Sequence, residues 1–266
     1  MNAGIEQGKT PAGLFYKVQG EGNPIVLLHG FCGSSDYWEA VIPLLAQDYQ
    51  VITPDLRGHG QSAVIGASFG IEDMAQDIVA LLDQRGIARA VLFGHSLGGY
   101  ITLAFAEQHA ARLQGFSLVH STANPDAEQA RENRLKAVKT IEEEGIQPFV
   151  DGLVPKLFAP AHVASMAEQV EKAKQIGYGT APAGATGASL AMRARPDRNH
   201  VLQETQHPVL IVAGEQDQIV PPDKAFTVQG AHIEQAVIPA AGHMSMMETP
   251  DKLVPVLRSF LQRVYE

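Results

Sequence analysis

The sequence has a single cysteine and fewer basic than acidic residues. With only Cys32 available, an intramolecular disulfide is excluded. The chain has 20 lysines and arginines and 29 acidic residues, which gives a formal net charge of -9. Sequence-independent binding of a nucleic-acid phosphate backbone needs clustered basic residues. We therefore expect no nucleic-acid partner.

Long apolar runs and a secretory leader are also missing. A transmembrane helix needs about 20 apolar residues, whereas the runs here have the length of strands, as in residues 24–28. Residues 1–10 have neither a basic n-region nor an apolar h-region. These absences predict a cytoplasmic protein that does not span or bind a membrane.

The sequence does contain enough apolar residues for one large core, since 45% of its 266 residues are hydrophobic and 18% are charged. Short apolar runs that end in Gly or Asp alternate with stretches of helical period. This alternation is typical of β-α-β units and of a mostly parallel sheet. Seven runs are predicted strands, and there is room for a short extra strand before residue 10. The seven runs are residues 14–18, 25–28, 51–53, 90–93, 116–119, 209–212 and 236–238.

Three stretches have the clearest helical period. Residues 71–85 carry apolar residues along one side of a predicted helix, and Gly86 directly after them is a typical helix stop signal. Residues 97–109 and 253–264 show the same period and are predicted to pack against the sheet. The stripe of the first helix consists of Met74, Ile78, Leu81 and Leu82.

The alternation of strands and helices stops between residues 123 and 206. Helical patterns follow one another there without an intervening strand. We therefore predict a core domain of residues 1–122 and 207–266, and a helical cap of residues 123–206 inserted into it. Inside the cap, the many glycines and prolines of residues 177–187 predict a loop or hinge.

One short motif carries a candidate nucleophile. Gly94-His95-Ser96-Leu97-Gly98 follows a predicted strand and opens a helical pattern, which is the context of a nucleophile elbow. Glycines flank the nucleophile in such a turn because its backbone is strained and its neighbours approach closely. The motif predicts Ser96 as the nucleophile. Other serines near strand ends, Ser62, Ser121 and Ser245, lack these glycines and are predicted to be structural.

A serine hydroxyl needs a base to take its proton, and the base needs a carboxylate to hold its tautomer. Asp217 follows the predicted strand 209–212, and His243 follows the last one. The chain order of serine, acid and histidine is the one that the elbow demands. Glu215 and Asp126 remain alternatives for the acid, since one lies beside Asp217 and the other follows the sixth strand.

The other histidines near strand ends are predicted to be hydrogen-bonded structural residues. They are His29, His59, His95 and His120.

Acyl transfer also needs donors for the oxyanion that forms on the attacked carbonyl. The backbone N–H of Leu97, next to the nucleophile, is the first candidate. The second is the N–H of Phe31, because residues 29–34 turn sharply at two glycines directly after a predicted strand. Cys32 lies in the same turn without an elbow, and we expect it to pack there rather than to react.

Taken together, five motifs of this sequence resemble those of the α/β-hydrolase superfamily. The resemblance runs through nearly the whole chain outside the insertion. It implies an α/β-hydrolase fold with an eight-stranded, mostly parallel sheet, flanking helices and a helical cap over the serine. It also implies catalysis with no cofactor and no metal. The motifs are His29-Gly30-Phe31, Asp55-x-Arg57-Gly58-His59-Gly60-x-Ser62, Gly94-His95-Ser96-Leu97-Gly98-Gly99, Gly214-x-x-Asp217 and Gly242-His243.

Within that superfamily, the sequence most resembles small bacterial carboxylesterases, enol-lactonases and cofactor-free haloperoxidase-like perhydrolases. We therefore expect a serine hydrolase that cleaves a small-molecule carboxylic ester or lactone through an acyl-enzyme on Ser96. The acyl group is expected to be apolar and of small to medium size, in a pocket lined by residues of the cap. The candidates for this lining are Phe149, Leu157, Phe158 and Met192.

Two alternative functions stay open on the same scaffold, because one fold hosts many chemistries. A carbon–carbon bond hydrolase or lyase would use the same three residues and would need cationic cap residues to hold a carboxylate. Arg193, Arg195 and Arg198 are the candidates for that role. A non-enzymatic receptor of this fold would retain the three residues and bind its ligand.

Overall fold

The computed structural model of the protein describes residues 4–66 and 68–266. The prediction made from residues 1–10 therefore falls in part on residues outside it. The described chain contains one eight-stranded sheet, which includes the extra strand before residue 10. The strands are β1 (Glu6–Lys9), β2 (Phe15–Gln19), β3 (Asn23–Leu28), β4 (Tyr49–Pro54), β5 (Ala90–His95), β6 (Leu113–Val119), β7 (Val209–Gly214) and β8 (Ile233–Ile238).

The sheet is mostly parallel. Its strand order is β1-β2-β4-β3-β5-β6-β7-β8. The pairs β1/β2 and β2/β4 are antiparallel, and every other neighbouring pair is parallel. This arrangement confirms the predicted fold class. The carboxyl ends of β3 and β5 to β8 therefore meet at one edge of the sheet, where this class of fold places its ligand sites.

Helices cover both faces of this sheet. None of those in the described ranges is long and apolar enough to cross a membrane. They are α1 (Ile42–Leu45), α2 (Ile71–Gln84), α3 (Leu97–His109), α4 (Glu128–Glu144), α5 (Ile146–Leu153), α6 (His162–Ser165), α7 (Ala167–Tyr178), α8 (Pro182–Ala194), α9 (Asn199–Glu204), α10 (Pro222–Ala225), α11 (Ser245–Glu248) and α12 (Pro250–Tyr265).

The sheet separates two apolar cores. Successive side chains of a strand point to opposite faces, so Val26 and Leu28 of β3 enter one core and Ile25 and Leu27 enter the other. Helices α2 and α3 close the first core, and α1 and α12 close the second. Because both faces are covered, the central strands form continuous apolar runs in the sequence.

Helix α2 follows the sequence pattern closely. All four residues of its predicted stripe are buried in the first core. The helix ends at Gln84, and Gly86 follows with a φ of 65°, a left-handed conformation that glycine adopts at little cost. The predicted stripe and the stop signal are both confirmed.

Six helices, α4 to α9, lie between β6 and β7, in the region of the predicted cap. The prediction of a loop over residues 177–187 is wrong for most of its length. Helix α7 continues to Tyr178, and α8 begins at Pro182, whose fixed φ suits a first helical turn. A Cβ on Gly184 would overlap the backbone of Gly58. The small residues of this segment permit close packing of a helix against the core, rather than flexibility.

Candidate active site

The predicted nucleophile lies in a tight turn between strand and helix. Strand β5 ends at His95 and α3 begins at Leu97, with Ser96 between them at a φ of 51° and a ψ of -111°. Such a backbone is strained for a residue other than glycine. A Cβ on Gly94 would overlap the carbonyl of Gly98, and a Cβ on Gly98 would overlap Leu28, which explains the flanking glycines. Ser96 is half-buried although its chain neighbours are fully buried, so its side chain is accessible at the sheet edge.

The predicted base and acid meet at the same edge. Asp217 follows β7, His243 follows β8, and both are buried. The Nδ1–H of His243 donates to Oδ2 of Asp217 at 2.8 Å. Next to the serine, His95 donates from Nε2 to the His243 carbonyl at 2.9 Å, and the two imidazole rings are 5.0 Å apart. This hydrogen bond joins the turn that carries Ser96 directly to the loop that carries His243.

Four donors surround the carboxylate of Asp217. Its Oδ1 accepts the amides of Ile219 and Val220 at 2.8 and 2.9 Å, and its Oδ2 accepts His243 and, at 3.2 Å, Nδ1 of His120. Burial opposes the ionised form, but the charge of His243 and the two imidazole hydrogen bonds outweigh it and hold the pKa of Asp217 well below its usual range. The group is therefore a carboxylate at neutral pH.

The two alternative acids have other partners. Asp126 pairs with Arg134 at 3.0 Å and with Arg195 at 2.7 Å. Burial raises the pKa of Asp126, but these two guanidinium groups outweigh it and lower the pKa. Glu215 accepts the amide of Ala240 at 2.9 Å in an exposed loop. In the part of the chain that the structure describes, neither carboxylate is hydrogen bonded to His243.

The turn after β3 brings backbone up to the serine. The amide of Gly33 donates to the carbonyl of Gly30 at 3.1 Å, and a Cβ on Gly30 would lie only 3.3 Å from that of Ser96. Cys32 has a φ of 54°, and its carbonyl accepts the Tyr37 hydroxyl at 3.1 Å. Burial raises the pKa of the Cys32 thiol far above its usual value, so the sulfur stays protonated.

One predicted oxyanion donor, Phe31, lies in this turn, and the other, Leu97, directly follows Ser96. Within residues 4–66 and 68–266, neither the amide of Phe31 nor that of Leu97 donates a hydrogen bond to the protein. The Phe31 ring packs against His59 at 6.2 Å and against Phe149 at 5.7 Å. Free amides beside an accessible serine are what an oxyanion hole requires.

Two further buried histidines support the turn. His29 accepts the amide of Leu56 at Nε2 and donates from Nδ1 to the Gly30 carbonyl, both at 2.8 Å. His59 donates from Nδ1 to the Arg57 carbonyl at 3.0 Å. Burial, together with the charge of His59, lowers the pKa of His29 to about 3, and burial lowers that of His59 to about 4. Both rings are neutral at pH 7.

A buried glutamate that the sequence reasoning missed holds the loop of the predicted base. One oxygen of Glu248 accepts the amides of Gly242 and Met244 at 2.9 and 3.1 Å, and these residues flank the base. Its other oxygen accepts the amide of Ala159 at 2.8 Å and Nδ1 of His162 at 2.7 Å. An acidic residue in a short apolar helix was the only signal for it in the sequence. Glu248 thereby joins the loop of the base to the segment between β6 and β7.

One group of side chains has a spacing that a metal ion could use. Ligand atoms of His120, Asp217 and His243 lie within 4.8 Å of one another. The hydrogen bonds to Oδ2 of Asp217 already use both Nδ1 atoms. The spacing is therefore accounted for by the hydrogen bonds among the three side chains.

The comparison with known families agrees with this geometry. A family model described as the alpha/beta hydrolase fold matches residues 23–250. The chain belongs to the α/β-hydrolase family.

Several relatives of this α/β hydrolase span its length. The 3-oxoadipate enol-lactonase 1 of Acinetobacter baylyi is 28% identical over 261 residues, which cover 97% of this chain and 95% of the relative. A thermophilic esterase from Thermogutta terrifontis, solved with malate bound, is 32% identical with a TM-score of 0.92, and the match covers 99% of this chain and all of that one. Similarity to these two proteins thus extends over nearly the whole chain.

Another relative is considerably longer. The dihydrolipoyllysine-residue acetyltransferase component of the acetoin cleaving system from Pseudomonas putida is 32% identical over 263 residues. The match covers 94% of this chain but only 66% of the length of the relative.

The predicted pocket residues of this α/β hydrolase lie in different surroundings. Phe149 of α5 is half-buried beside Phe31. Leu157 and Phe158 are buried in the core closed by α12, and the Leu157 carbonyl accepts the His243 amide at 2.7 Å. Met192 of α8 is buried in the core closed by α2 and α3. Of the four, Phe149 is the one in ring contact with the turn after β3.

The three candidate arginines in the region of the predicted cap are largely occupied. Arg195 is bound to Asp126, and its guanidinium lies 3.8 Å from the ring centre of Tyr100. Arg198 is buried and pairs with Glu72 and Glu107. Two of the three candidates for holding a substrate carboxylate are therefore neutralised by acids of the same chain.

Proposed function

We propose that this chain is a serine hydrolase that cleaves a carboxylic ester or lactone through an acyl-enzyme on Ser96. The chain is a hydrolase of the carboxylic-ester class, as its family and its esterase and enol-lactonase relatives indicate. One observation carries the finer proposal. An accessible serine in a strained turn directly follows His95, whose side chain is hydrogen bonded to His243, and the Nδ1–H of His243 is held by a buried carboxylate.

The arrangement supports a complete proton path. With Nδ1–H donated to Asp217, a neutral His243 keeps its lone pair on Nε2, the atom that takes the proton of the Ser96 hydroxyl. The serine oxygen then attacks the carbonyl carbon of the ester. Asp217 stays ionised and stabilises the imidazolium that results. The histidine next gives its proton to the departing alcohol oxygen, and the acyl-enzyme remains.

Hydrolysis of the acyl-enzyme repeats these steps with water. His243 takes a proton from the water, the hydroxide attacks the acyl carbon, and the proton returns to Ser96 as the carboxylic acid leaves. In both halves the carbonyl oxygen becomes negative. The amides of Phe31 and Leu97 are the proposed donors to it, and one such donor typically contributes about 100-fold or more to turnover.

We infer that residues 123–206 form a cap over the site and contribute the acyl pocket. The contact of Phe149 with Phe31 supports this placement, because it puts an apolar cap side chain beside the proposed oxyanion donor. The occupied arginines Arg195 and Arg198 argue against a second function in which the cap holds a substrate carboxylate. We therefore favour an ester with an apolar acyl group of small to medium size.

A fluorophosphonate probe is expected to label Ser96 with one probe per chain, because an activated serine attacks phosphorus as it attacks a carbonyl. Intact-protein mass spectrometry measures the added mass, and peptide mapping locates it. Ser96→Ala should abolish the labelling. A burst of nitrophenol from an excess of nitrophenyl ester, equal to the enzyme present, would further separate an enzyme from a receptor. Labelling that persists in Ser96→Ala, or none in the natural chain, would refute the assignment.

Phe149→Ala is expected to change the ratio of kcat/KM between long and short nitrophenyl esters by about 10-fold, since one apolar group in a binding pocket contributes that order of discrimination. The labelling of Ser96 should be unaffected. Leu135→Ala is the matched control, because Leu135 is an apolar residue of α4 that is 45% exposed. If both variants keep the natural chain-length preference, Phe149 does not line the acyl site.

A further inference from the structure

His120 is a buried residue at a strand end that the proposed mechanism does not use. It follows β6, has a φ of 50° and is completely buried. Its Nδ1 lies 3.2 Å from Oδ2 of Asp217, and its Nε2 lies 2.6 Å from the hydroxyl oxygen of Ser245. The imidazole therefore bridges the candidate acid, on the loop after β7, and the first residue of α11, just beyond His243.

The hydrogen-bond partners determine where the proton of this ring must be. An ionised carboxylate only accepts hydrogen bonds, so Nδ1 of His120 must donate to Asp217. A neutral imidazole has one N–H, which leaves Nε2 as an acceptor. The Ser245 hydroxyl must then donate to it. Burial lowers the pKa of His120 although Asp217 opposes this effect, which agrees with a neutral ring.

We propose that His120 is a positioning residue for the reaction: as a neutral imidazole protonated on Nδ1, it holds Asp217 in the orientation that His243 needs, and the Ser245 hydroxyl donates to its Nε2. The proposal rests on the proposed function, in which Asp217 is the acid. Two donors on Oδ2, together with the two amides on Oδ1, leave the carboxylate little freedom to rotate.

The second imidazole also affects the charge that His243 experiences. A donor on Oδ2 disperses the negative charge of Asp217 and weakens its attraction for the imidazolium of the base. Three other titratable groups face His120: the ring of His95 at 6.0 Å, the ring of His243 at 5.7 Å and the carboxylate of Glu248. Removing His120 should therefore strengthen proton binding at the base and move the acidic limb of kcat/KM to higher pH.

The tautomer can be tested in the natural chain without a variant. Nitrogen-15 NMR of histidine-labelled protein near neutral pH distinguishes a protonated imidazole nitrogen from a bare one. We expect His120 to show a protonated Nδ1 and a bare Nε2 in the natural chain and also in Ser245→Ala, because Asp217 requires the proton on Nδ1. A proton found on Nε2 of His120 in the natural chain, or a cationic ring, would overturn the proposal.

Variants test the effect on the reaction. His120→Phe keeps a ring but removes the donor, and kcat should fall by about 10- to 100-fold, the usual effect of one hydrogen bond to a charged group, with KM unchanged. The acidic limb should move to higher pH. His120→Asn is the matched rescue, because asparagine tolerates the left-handed backbone and offers an N–H close to the position of Nδ1. It should restore most of kcat and return the acidic limb of the pH profile of kcat/KM to its position in the natural chain.

The outcomes separate this proposal from the proposed function. If fluorophosphonate does not label the natural chain, the serine mechanism fails, whereas the NMR result still decides the tautomer of His120. If labelling succeeds but His120→Phe and His120→Asn have the same kcat and the same acidic limb in the pH profile of kcat/KM, His120 does not position Asp217. Should His120→Phe fail to fold, Ser245→Ala and the natural chain still give the NMR result.

Discussion

Replacing Asp217 with asparagine is expected to lower kcat by about 10⁴-fold while leaving the fold intact, because an amide in place of the carboxylate favours the wrong tautomer of the base. In the natural chain, Oδ2 of Asp217 accepts the Nδ1–H of His243 at 2.8 Å. The amide nitrogen of an asparagine would turn its own N–H groups toward that atom. Steady-state kinetics with a nitrophenyl ester measures the loss, and circular dichroism checks the fold.

Asp126→Asn is the control for this prediction, since Asp126 is the acid after the sixth strand and is bound to Arg134 and Arg195. Its removal should leave kcat within a few-fold of the natural value, because it is not a partner of His243. A reversal of the two effects would move the acid to the loop after β6.

Acidification is expected to destabilise this fold strongly, well above the pH at which carboxylates titrate. The pKa of His29 is about 3 and that of His59 about 4 in the folded chain, against an ordinary value of 6.5. Below 6.5 the unfolded chain therefore binds more protons than the folded one, so stability falls as the pH falls. Between about pH 7 and about pH 5, each of these rings lowers the free energy of unfolding by about 2 kcal/mol.

The two histidines together should remove about 4 kcal/mol, a large part of the stability of an ordinary domain. His95 and His120 have lowered pKa values from burial and act in the same direction. Urea unfolding at the two pH values, extrapolated to water, measures the change. In His59→Gln the difference between the two pH values should shrink by about 2 kcal/mol. Equal stability of the natural chain at both pH values would contradict the buried, neutral state of these rings.

The parts of the site that the sequence predicted are those with a local signal. The serine has glycines on both sides, and the acid and the histidine each follow an apolar run that forms a strand. Because parallel strands end at one edge, three local patterns were enough to predict one cluster. The same logic predicted the fold class, since the alternation of strands and helices is visible along the chain outside residues 123–206.

The contacts that the sequence did not reveal are long-range ones. His120 lies 97 residues from its partner Asp217, and Glu248 lies 86 residues from His162. Neither spacing leaves a pattern in the chain. The glycines of residues 177–187 were misread for a related reason. A glycine needed for close approach, such as Gly184 against Gly58, looks in a sequence like a glycine needed for a flexible loop.

The bridge made by Glu248 limits how the predicted cap, residues 123–206, can be exchanged for that of a related protein. One carboxylate oxygen of Glu248 accepts the amide of Ala159 and Nδ1 of His162, and the other accepts the amides of Gly242 and Met244. One side chain therefore holds both segments. The Leu157 carbonyl adds a second tie to that loop. A chimaera that replaces all of residues 123–206 would therefore disturb the loop of His243, the proposed base. A graft that keeps residues 157–162 and replaces helices on the far side could alter substrate choice without disturbing it.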